Sequence, residues 1–214
     1  MSLNSNSMGF GVIVLAAGAS SRMGQPKMLL PWNGTSILGH LIATWRRVAV
    51  GQIAVVVARN SEVVSELDRL GFSGGDRIVN PNPEQGMFSS IRAAALWSGW
   101  KETIGHWVIV LGDQPHLSGE LLAALVKHAA QHPDAVCQPS CGGRPRHPVV
   151  LPANVFNRLR TASCGNLKQF LADLEVPVNL MSRDDPGLDF DLDHPADYAW
   201  AASHWMTGEG VEGA

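Results

Sequence analysis

Short apolar runs that alternate with amphipathic segments constrain the fold of this 214-residue sequence more than any other feature. Residues 11–16, 53–58 and 106–111 are nearly continuous apolar runs of strand length. Such runs are typical of strands buried on both faces of a parallel sheet. Residues 36–48 and 118–130 instead carry apolar side chains at helical spacing. The alternation predicts an α/β fold, a three-layer sandwich with a mainly parallel central sheet and helices on both faces.

The remaining elements follow from the same patterns and from capping residues. Further helices are predicted at residues 61–70, 89–97, 154–160, 166–174 and 195–205. Further strands are predicted at residues 77–79, 135–138, 149–151 and 176–180. Thr35 or Ser36 is placed to cap the first helix, Ser118 a later one, and Ser89 and Ser90 the helix of residues 89–97.

The sequence shows no internal repeat, low-complexity stretch or linker rich in Pro and Ser. We therefore expect a single domain over residues 11–205, preceded by a disordered leader at residues 1–10 and followed by a flexible tail at residues 206–214. The leader lacks the basic and apolar regions of a secretory signal, and no apolar run is long enough to span a bilayer. The expected location is the cytoplasm.

Composition excludes several classes of partner and site. The formal net charge of −3 gives no reason to expect binding to nucleic acid or to a membrane. The three cysteines, Cys137, Cys141 and Cys164, are too few for a disulfide framework, so we expect reduced thiols. Neither Cys137 nor Cys141 has the nearby histidine or second cysteine pair of a zinc site, and no histidines stand out as a ligand cluster. Thiolate metal binding is therefore not expected.

The loop after the first predicted strand is the most informative stretch. It reads Leu15-Ala16-Ala17-Gly18-Ala19-Ser20-Ser21-Arg22-Met23-Gly24-Gln25-Pro26-Lys27. Small residues let the backbone approach a ligand, consecutive N–H groups in such a loop can bind an anion, and Arg22 and Lys27 add two cations. This arrangement suits a triphosphate. The dinucleotide-binding and Walker glycine patterns are both absent.

This loop resembles the signature of the molybdenum-cofactor nucleotidyltransferases, within the GT-A-like nucleotidyltransferases whose fold is that of the nucleotide-diphospho-sugar transferases. Four later motifs recur in the same order in the cytidylyltransferase branch of that family. They are Asn80-Pro81-x4-Gly86-Met87-x2-Ser90, Gly112-Asp113-Gln114-Pro115, Gly143-Arg144-x2-His147-Pro148 and Asp191-x-Asp193-x-Pro195. The resemblance spans residue 12 to about residue 198. It implies a nucleotide-binding half at about residues 11–130 and an acceptor-binding part at about residues 131–205.

The resemblance and the residue chemistry together predict a set of site residues. Arg22, Lys27 and Asp113 are the predicted catalytic residues. The predicted nucleotide-binding residues are Leu15, Ala16, Ala17, Gly18, Ser20, Arg22, Gly24, Lys27, Asn80, Gly86, Ser89, Ser90 and Asp113. The predicted acceptor-binding residues are Gln114, Arg144 and His147.

Magnesium is the expected cofactor because it prefers hard oxygen ligands and is commonly held by one or two carboxylates together with substrate phosphates. Asp113, directly after a predicted strand, is the first choice of ligand. The family places a second ligand near Asp191 and Asp193; we favour Asp191, with Asp193 supporting it or capping the helix that follows. Asp184, Asp185 and Asp189 are interpreted as a solvated acidic loop.

By resemblance, the favoured reaction transfers CMP from CTP to molybdopterin with release of pyrophosphate. Ala17 favours CTP, because the GTP-using relatives usually carry Leu-Ala-Gly-Gly at this point. The family pattern has Gly directly before His-Pro where this sequence has Arg146, so the acceptor stays open. The alternatives are a sugar- or polyol-phosphate nucleotidyltransferase, a GTP-using guanylyltransferase, and a non-catalytic nucleotide-binding cofactor chaperone. A molybdenum hydroxylase or its chaperone is a conceivable protein partner.

Overall fold

The computed structural model of the chain describes residues 9–48, 50–174 and 176–206. Its helices are α1 (Ile37–Arg47), α2 (Glu62–Arg69), α3 (Met87–Leu96), α4 (Gly119–Gln131), α5 (Ala153–Phe156), α6 (Leu167–Ala172) and α7 (Pro195–Trp205). Its strands are β1 (Gly9–Leu15), β2 (Pro31–Trp32), β3 (Thr35–Ser36), β4 (Gln52–Ala58), β5 (Arg77–Asn80), β6 (Ile104–Leu111), β7 (Val136–Cys141), β8 (Arg144–Pro145), β9 (Val149–Pro152) and β10 (Val178–Ser182).

The central sheet has the order β10-β7-β9-β6-β1-β4-β5, and β8 pairs with β7 at its side. Strand β1 pairs in parallel with β4 and β6, β4 with β5, and β7 with β10. Within the described residues, two strands of this sheet run antiparallel to their neighbours. They are β9, which lies between β6 and β7, and the short β8. The predicted mainly parallel sheet is confirmed. Its parallel strands bring their carboxyl ends to one common edge.

Helices cover both faces of the sheet, so two apolar cores form. Successive side chains of a strand point to opposite faces, and in β1 Val12 and Val14 therefore belong to one core and Ile13 to the other. The first core packs against α1, α2, α4 and α7, and the second against α3, α5 and α6. In the second core the indole ring of Trp107 stacks on Phe156 with ring centroids 4.1 Å apart. This is the predicted three-layer sandwich.

Two of the predicted caps are confirmed and one pair is wrong. Ser36 accepts a hydrogen bond from Gly39 N at 3.0 Å, and Ser118 accepts one from Leu121 N at 3.1 Å. Helix α3, however, begins at Met87 directly after Gly86, so Ser89 and Ser90 lie inside its first turns and do not cap it.

Several predicted boundaries in the last third of the chain are displaced. The predicted helix of residues 154–160 is a four-residue helix followed by a 3₁₀ turn, Asn157–Thr161. The strand predicted at residues 176–180 runs from Val178 to Ser182. The small hairpin of β2 and β3 was not predicted. Asn-Gly is a strong hairpin signal, because a two-residue hairpin turn of type I′ requires positive φ angles and these residues adopt them readily. Asn33 and Gly34 both have positive φ angles here.

The predicted leader and tail are only partly within the described residues. Strand β1 begins at Gly9, so the last two residues of the predicted leader belong to the sheet. Met206, the first residue of the predicted tail, donates a backbone hydrogen bond to Ala202 and packs against the first core. The rest of both predicted segments lies outside the described residues. Among the helices that the structure describes, none combines the length and apolar character needed to cross a membrane.

Candidate active site

A cleft of about 410 Å³ opens at the carboxyl ends of β1 and β6. Its floor is the loop after β1, in which the left-handed backbone of Ser20 (φ 49°) and Gly24 (φ 67°) brackets a single 3₁₀ turn. Lys27 N donates to Ser20 Oγ at 3.2 Å, which closes the loop on itself. The predicted nucleotide-binding residues that line this cleft are Leu15, Ala16, Ala17, Gly18, Ser20, Arg22, Lys27, Gly86, Ser90 and Asp113.

The opposite wall is held in place by Asn80, which is 1% exposed at the end of β5. Its Nδ2 donates to Ser89 Oγ at 2.7 Å and to Ser90 Oγ at 3.0 Å, and its Oδ1 accepts from Asn82 N at 2.9 Å. Ser89 Oγ in turn donates to the carbonyls of Asn82 and Gly86. Asn80 and Ser89 thus lie behind the cleft wall and shape it, while Ser90 also lines the cleft itself.

Asp113 follows β6 by two residues and lines this cleft. Gly112 precedes it, and a Cβ at this position would lie 2.4 Å from the Met28 sulfur and 3.1 Å from the Leu15 carbonyl oxygen, so a larger residue would require Met28 to move. Asp113 Oδ2 accepts from Lys27 Nζ at 3.0 Å, and Lys27 Nζ also donates to the Leu192 carbonyl at 3.2 Å. Asp113 Oδ1 is buried and has no hydrogen-bond partner in the described part of the chain. A buried carboxylate oxygen without a donor fits a cation ligand.

The segment of residues 191–193 passes beside Asp113 and brings two more carboxylates to the cleft. Gln114 Nε2 donates to Asp191 Oδ1 at 3.0 Å, and Arg22 forms an ion pair with Asp193. Partial desolvation raises the pKa of Asp191, and the neighbouring carboxylate of Asp113 raises it further. Crowded carboxylates that repel one another favour a divalent cation between them. Asp113 and Asp191 are therefore the residues that could hold such an ion.

The Asp193 carboxylate does not cap helix α7. Helix α7 begins at Pro195 after His194, and Asp197 accepts from the backbone N–H groups of Asp193 and His194 at 3.2 and 2.7 Å. The capping alternative for Asp193 is therefore wrong; Asp197 supplies the cap, and the Asp193 carboxylate contacts Arg22.

A second cleft, of about 490 Å³, adjoins the first and shares Leu111 with it. Its lining includes the predicted acceptor-binding residues Gln114, Arg144 and His147, together with Asp191. Burial lowers the pKa of His147, although the Ile109 carbonyl and the Asp113 carboxylate partly oppose this. The ring of His147 is therefore neutral at pH 7.

Two charged residues of the second cleft, Arg146 and Asp189, were not predicted as site residues. Asp189, interpreted above as part of a solvated loop, accepts from the guanidinium groups of both Arg144 and Arg146. The hydrogen bond from Arg146 and the two positive charges lower the pKa of Asp189. The Arg146 side chain is 25% exposed, against 69% for Arg144. The motif drew attention to Arg146, but nothing local to Asp189 indicates its partners, which lie more than 40 residues away in the chain.

Three predictions do not match the lining of the first cleft. Gly24 follows the 3₁₀ turn of the loop after β1 without lining the cleft, and Asn80 and Ser89 lie behind the cleft wall. Lining residues that were not predicted are Ala19, Met23, Met28, Pro83, Met87, Leu111 and Gly112. Asp193, predicted only as a metal ligand, also lines it.

The sequence profile of the MobA-like NTP transferase domain matches residues 12–178, which is most of the chain. The chain belongs to this family. It is therefore a nucleotidyltransferase by family.

Individual relatives place this nucleotidyltransferase among several kinds of enzyme. It is 36% identical over 132 residues to the bifunctional protein GlmU of Pseudarthrobacter chlorophenolicus, a match that covers 58% of this chain and 26% of that protein. It is 31% identical over 140 residues to the molybdenum cofactor cytidylyltransferase of Escherichia coli, covering 66% and 68%. The chain thus spans about a quarter of GlmU and two thirds of the cytidylyltransferase.

Solved structures support the fold of this nucleotidyltransferase. Rv0371c of Mycobacterium tuberculosis H37Rv superposes with a TM-score of 0.72 at 24% identity, covering 92% of this chain and 99% of that one. The same protein has been solved in complex with manganese, with a TM-score of 0.68. At this level of identity the likeness establishes the α/β fold alone.

Proposed function

We propose that this chain transfers CMP from CTP to the phosphate of molybdopterin and releases pyrophosphate. One observation carries the proposal: two adjoining clefts meet at the end of β6. One is lined by the loop after β1 with its cations Arg22 and Lys27, and the other by Arg144 and Arg146. A triphosphate donor in the first cleft and an anionic acceptor in the second would meet beside Asp113.

The proposed chemistry needs no protein nucleophile. An oxygen of the acceptor phosphate attacks the α-phosphorus in line, a new P–O bond forms, and the bond from the α-phosphorus to the pyrophosphate oxygen breaks. The acceptor phosphate is already anionic near pH 7, so no general base has to take a proton. Lys27 and Arg22 would offset the charge that develops on the leaving pyrophosphate.

The carboxylates around Asp113 fit a hard divalent cation, which we propose is magnesium held by Asp113 and Asp191. The buried Oδ1 of Asp113 and the raised pKa of Asp191 both support this choice. When bound, the ion would act as a Lewis acid on the phosphate oxygens. The manganese complex of Rv0371c is in keeping with a divalent-metal site on this fold.

CTP is favoured over GTP by one residue of the cleft. Ala17, which lines the first cleft and packs on the core beneath it, stands where the resemblance gives glycine in GTP-using relatives. The cytidylyltransferase of Escherichia coli is also among the relatives that match. The acceptor assignment depends on this likeness and on the two arginines beside the second cleft.

The test is a pyrophosphate-release assay with magnesium and each of CTP, GTP, ATP and UTP, run with molybdopterin, with a hexose 1-phosphate and with no acceptor. We expect release with CTP only when molybdopterin is present. Release with GTP would overturn the nucleotide assignment, and release with a hexose 1-phosphate would overturn the acceptor. Nucleotide binding without release in every arm would point to a cofactor chaperone.

A further inference from the structure

Three potential metal-binding side chains meet away from both clefts. His128 lies in the last turn of α4, His132 directly follows that helix, and Cys137 is the second residue of β7. One nitrogen of each imidazole and the sulfur of Cys137 lie within 4.8 Å of one another. A tetrahedral zinc ion separates its ligand atoms by roughly 3.3–3.6 Å, given its bond lengths to nitrogen and sulfur. Small rotations of these side chains would shorten the distances between their ligand atoms to those of a zinc site.

The fold corrects the expectation that no histidine accompanies Cys137. His128 and His132 are four residues apart, and this spacing puts both rings on one face of a helix; their centroids are 4.5 Å apart. The chain then turns directly into β7, which carries Cys137 under that face. The spacing His-x3-His-x4-Cys indicates a site only once the turn between helix and strand is known.

Each ring already has one nitrogen in a hydrogen bond to an oxygen atom, which is common for histidines in metal sites. His128 Nε2 lies 2.9 Å from Asn179 Oδ1, and His132 Nδ1 lies 2.8 Å from the His128 carbonyl. An oxygen acceptor requires the N–H on the nitrogen that contacts it, which leaves the other nitrogen of a neutral ring with its lone pair. Metal-ligating histidines commonly donate their second N–H to an amide, carboxylate or backbone oxygen in this way.

Cys137 lies on the buried, apolar side of the cluster. Its side chain is completely buried in the first core, and the two histidines are half-buried above it, so a cation would enter from the histidine side. Burial raises the pKa of the Cys137 thiol to about 11. Without a metal this thiol is therefore an unreactive core side chain, and metal binding would deprotonate it.

We propose that His128, His132 and Cys137 form a binding site for a borderline divalent cation such as Zn²⁺. On binding, the S–H bond of Cys137 breaks, a metal–sulfur bond forms, and the proton passes to solvent. Two nitrogens and one sulfur suit zinc and do not suit magnesium, and a water can complete the tetrahedron. The ion would fasten the end of α4 to β7 and, through Asn179, to β10. This inference does not depend on the proposed function.

The experiment is a Co²⁺ titration of the whole reduced chain followed by absorption spectroscopy, with Zn²⁺ as the competing ion. Co²⁺ bound to a thiolate gives a sulfur-to-cobalt charge-transfer band, which the carboxylate site at Asp113 cannot give. We expect one equivalent to bind with this band and Zn²⁺ to abolish it. Cys137→Ser should lose the band, whereas Cys141→Ser and Asp113→Asn should keep it.

A second variant separates loss of ligation from loss of folding. His132 is half-buried, so His132→Gln should retain the far-UV circular dichroism of the parent while its affinity for Co²⁺ falls at least about tenfold. Asn179→Ala should weaken binding by about 10- to 100-fold, because it removes the acceptor that orients His128. Absence of the band in the parent chain, or its persistence in Cys137→Ser, would overturn the site.

Discussion

In the proposed function, Asp113 just after β6 would contact two cations, the Lys27 ammonium group and a divalent metal ion. Its Oδ2 already holds Lys27, and its buried Oδ1 has no donor in the described residues. A backbone hydrogen bond also holds Asp113 in place: its carbonyl accepts from Leu192 N at 3.0 Å. A carboxylate placed so rigidly loses little entropy when an ion binds to it.

We expect Asp113→Asn to lower kcat for pyrophosphate release by at least about 100-fold, because the variant removes a metal ligand and its charge. The fold should persist, since an amide oxygen can still accept from Lys27. Asp184→Asn, at an exposed position outside both clefts, is the matched control and should keep parental activity. Parental turnover in Asp113→Asn would contradict the role.

Asp191 gives a stability prediction whose sign follows from its raised pKa. A carboxyl whose pKa is raised by folding destabilises the native state once pH is high enough to ionise it, and costs nothing when both states are protonated. Asp191→Asn should therefore raise the melting temperature at pH 7. The gain should disappear as pH falls through the ordinary carboxyl pKa, near 3.8. Melting curves from pH 3 to 8 without added metal test this, and a gain that grows toward low pH would refute it.

Local sequence predicted the positions of the site residues better than their contacts. Asp113, Lys27 and Arg22 do lie together at one cleft, because motifs at the ends of parallel strands converge on a sheet edge. The pairing of Asp189 with Arg144 and Arg146 could not be foreseen, since it joins β8 to a loop in a distant part of the chain. Such contacts depend on tertiary structure alone.

At the scale of elements, hydrogen bonds join β5, the loop that follows it and the start of α3 into one wall of the first cleft. Gly86, with φ 85°, makes the sharp entry into the helix, and Asn80 ties the loop to Ser89 and Ser90. The serines look like capping residues in the sequence because hydroxyls favour helix starts. Their hydroxyls instead serve a buried amide from the neighbouring strand, which local pattern cannot reveal.

Asn80→Ala should lower the free energy of unfolding by about 1–3 kcal/mol, because buried partners lose their hydrogen bonds. It should also raise KM for the nucleotide more than it lowers kcat, since the wall loosens while Asp113 is untouched. Asn82→Ala is the control, because the contacts of Asn82 described above use its backbone. Denaturant unfolding and steady-state kinetics provide both readouts, and an unchanged KM would argue against the wall's role.

Elements with a strong periodic pattern were predicted well, and weakly patterned ones were not. Strands β4 and β6 were located within two residues, because each contains an unbroken apolar run, at residues 53–58 and 107–111. The predicted helix of residues 154–160 broke into α5 and a 3₁₀ turn, in which Leu159 is buried but Arg158 and Arg160 are exposed. One buried side chain per turn holds a short segment in place without selecting its helical type.

At the scale of the whole molecule, the sheet separates two cores whose side chains lie on opposite faces of shared strands. Ile42 of α1 lies in the first core and Ile91 of α3 in the second. Substitutions on opposite faces should therefore act independently of each other.

Ile42→Val and Ile91→Val should each lower the free energy of unfolding by about 0.5–1.5 kcal/mol, because each removes one buried methylene. The double variant should show the sum within about 0.5 kcal/mol. Urea unfolding of the four proteins in the cycle measures the difference. A larger departure from additivity would mean that the sheet transmits packing changes between its faces.

The arrangement of the two clefts along the chain has an evolutionary consequence. The first cleft draws mainly on the loops after β1, β5 and β6, and the second mainly on residues 144–147 and 188–191, which come later in the chain. Substitutions such as Arg146 in the later part can accumulate without disturbing the backbone of the earlier loop. A lineage with this fold can thus change what it modifies while keeping how it activates the donor, and divergence should concentrate after β6.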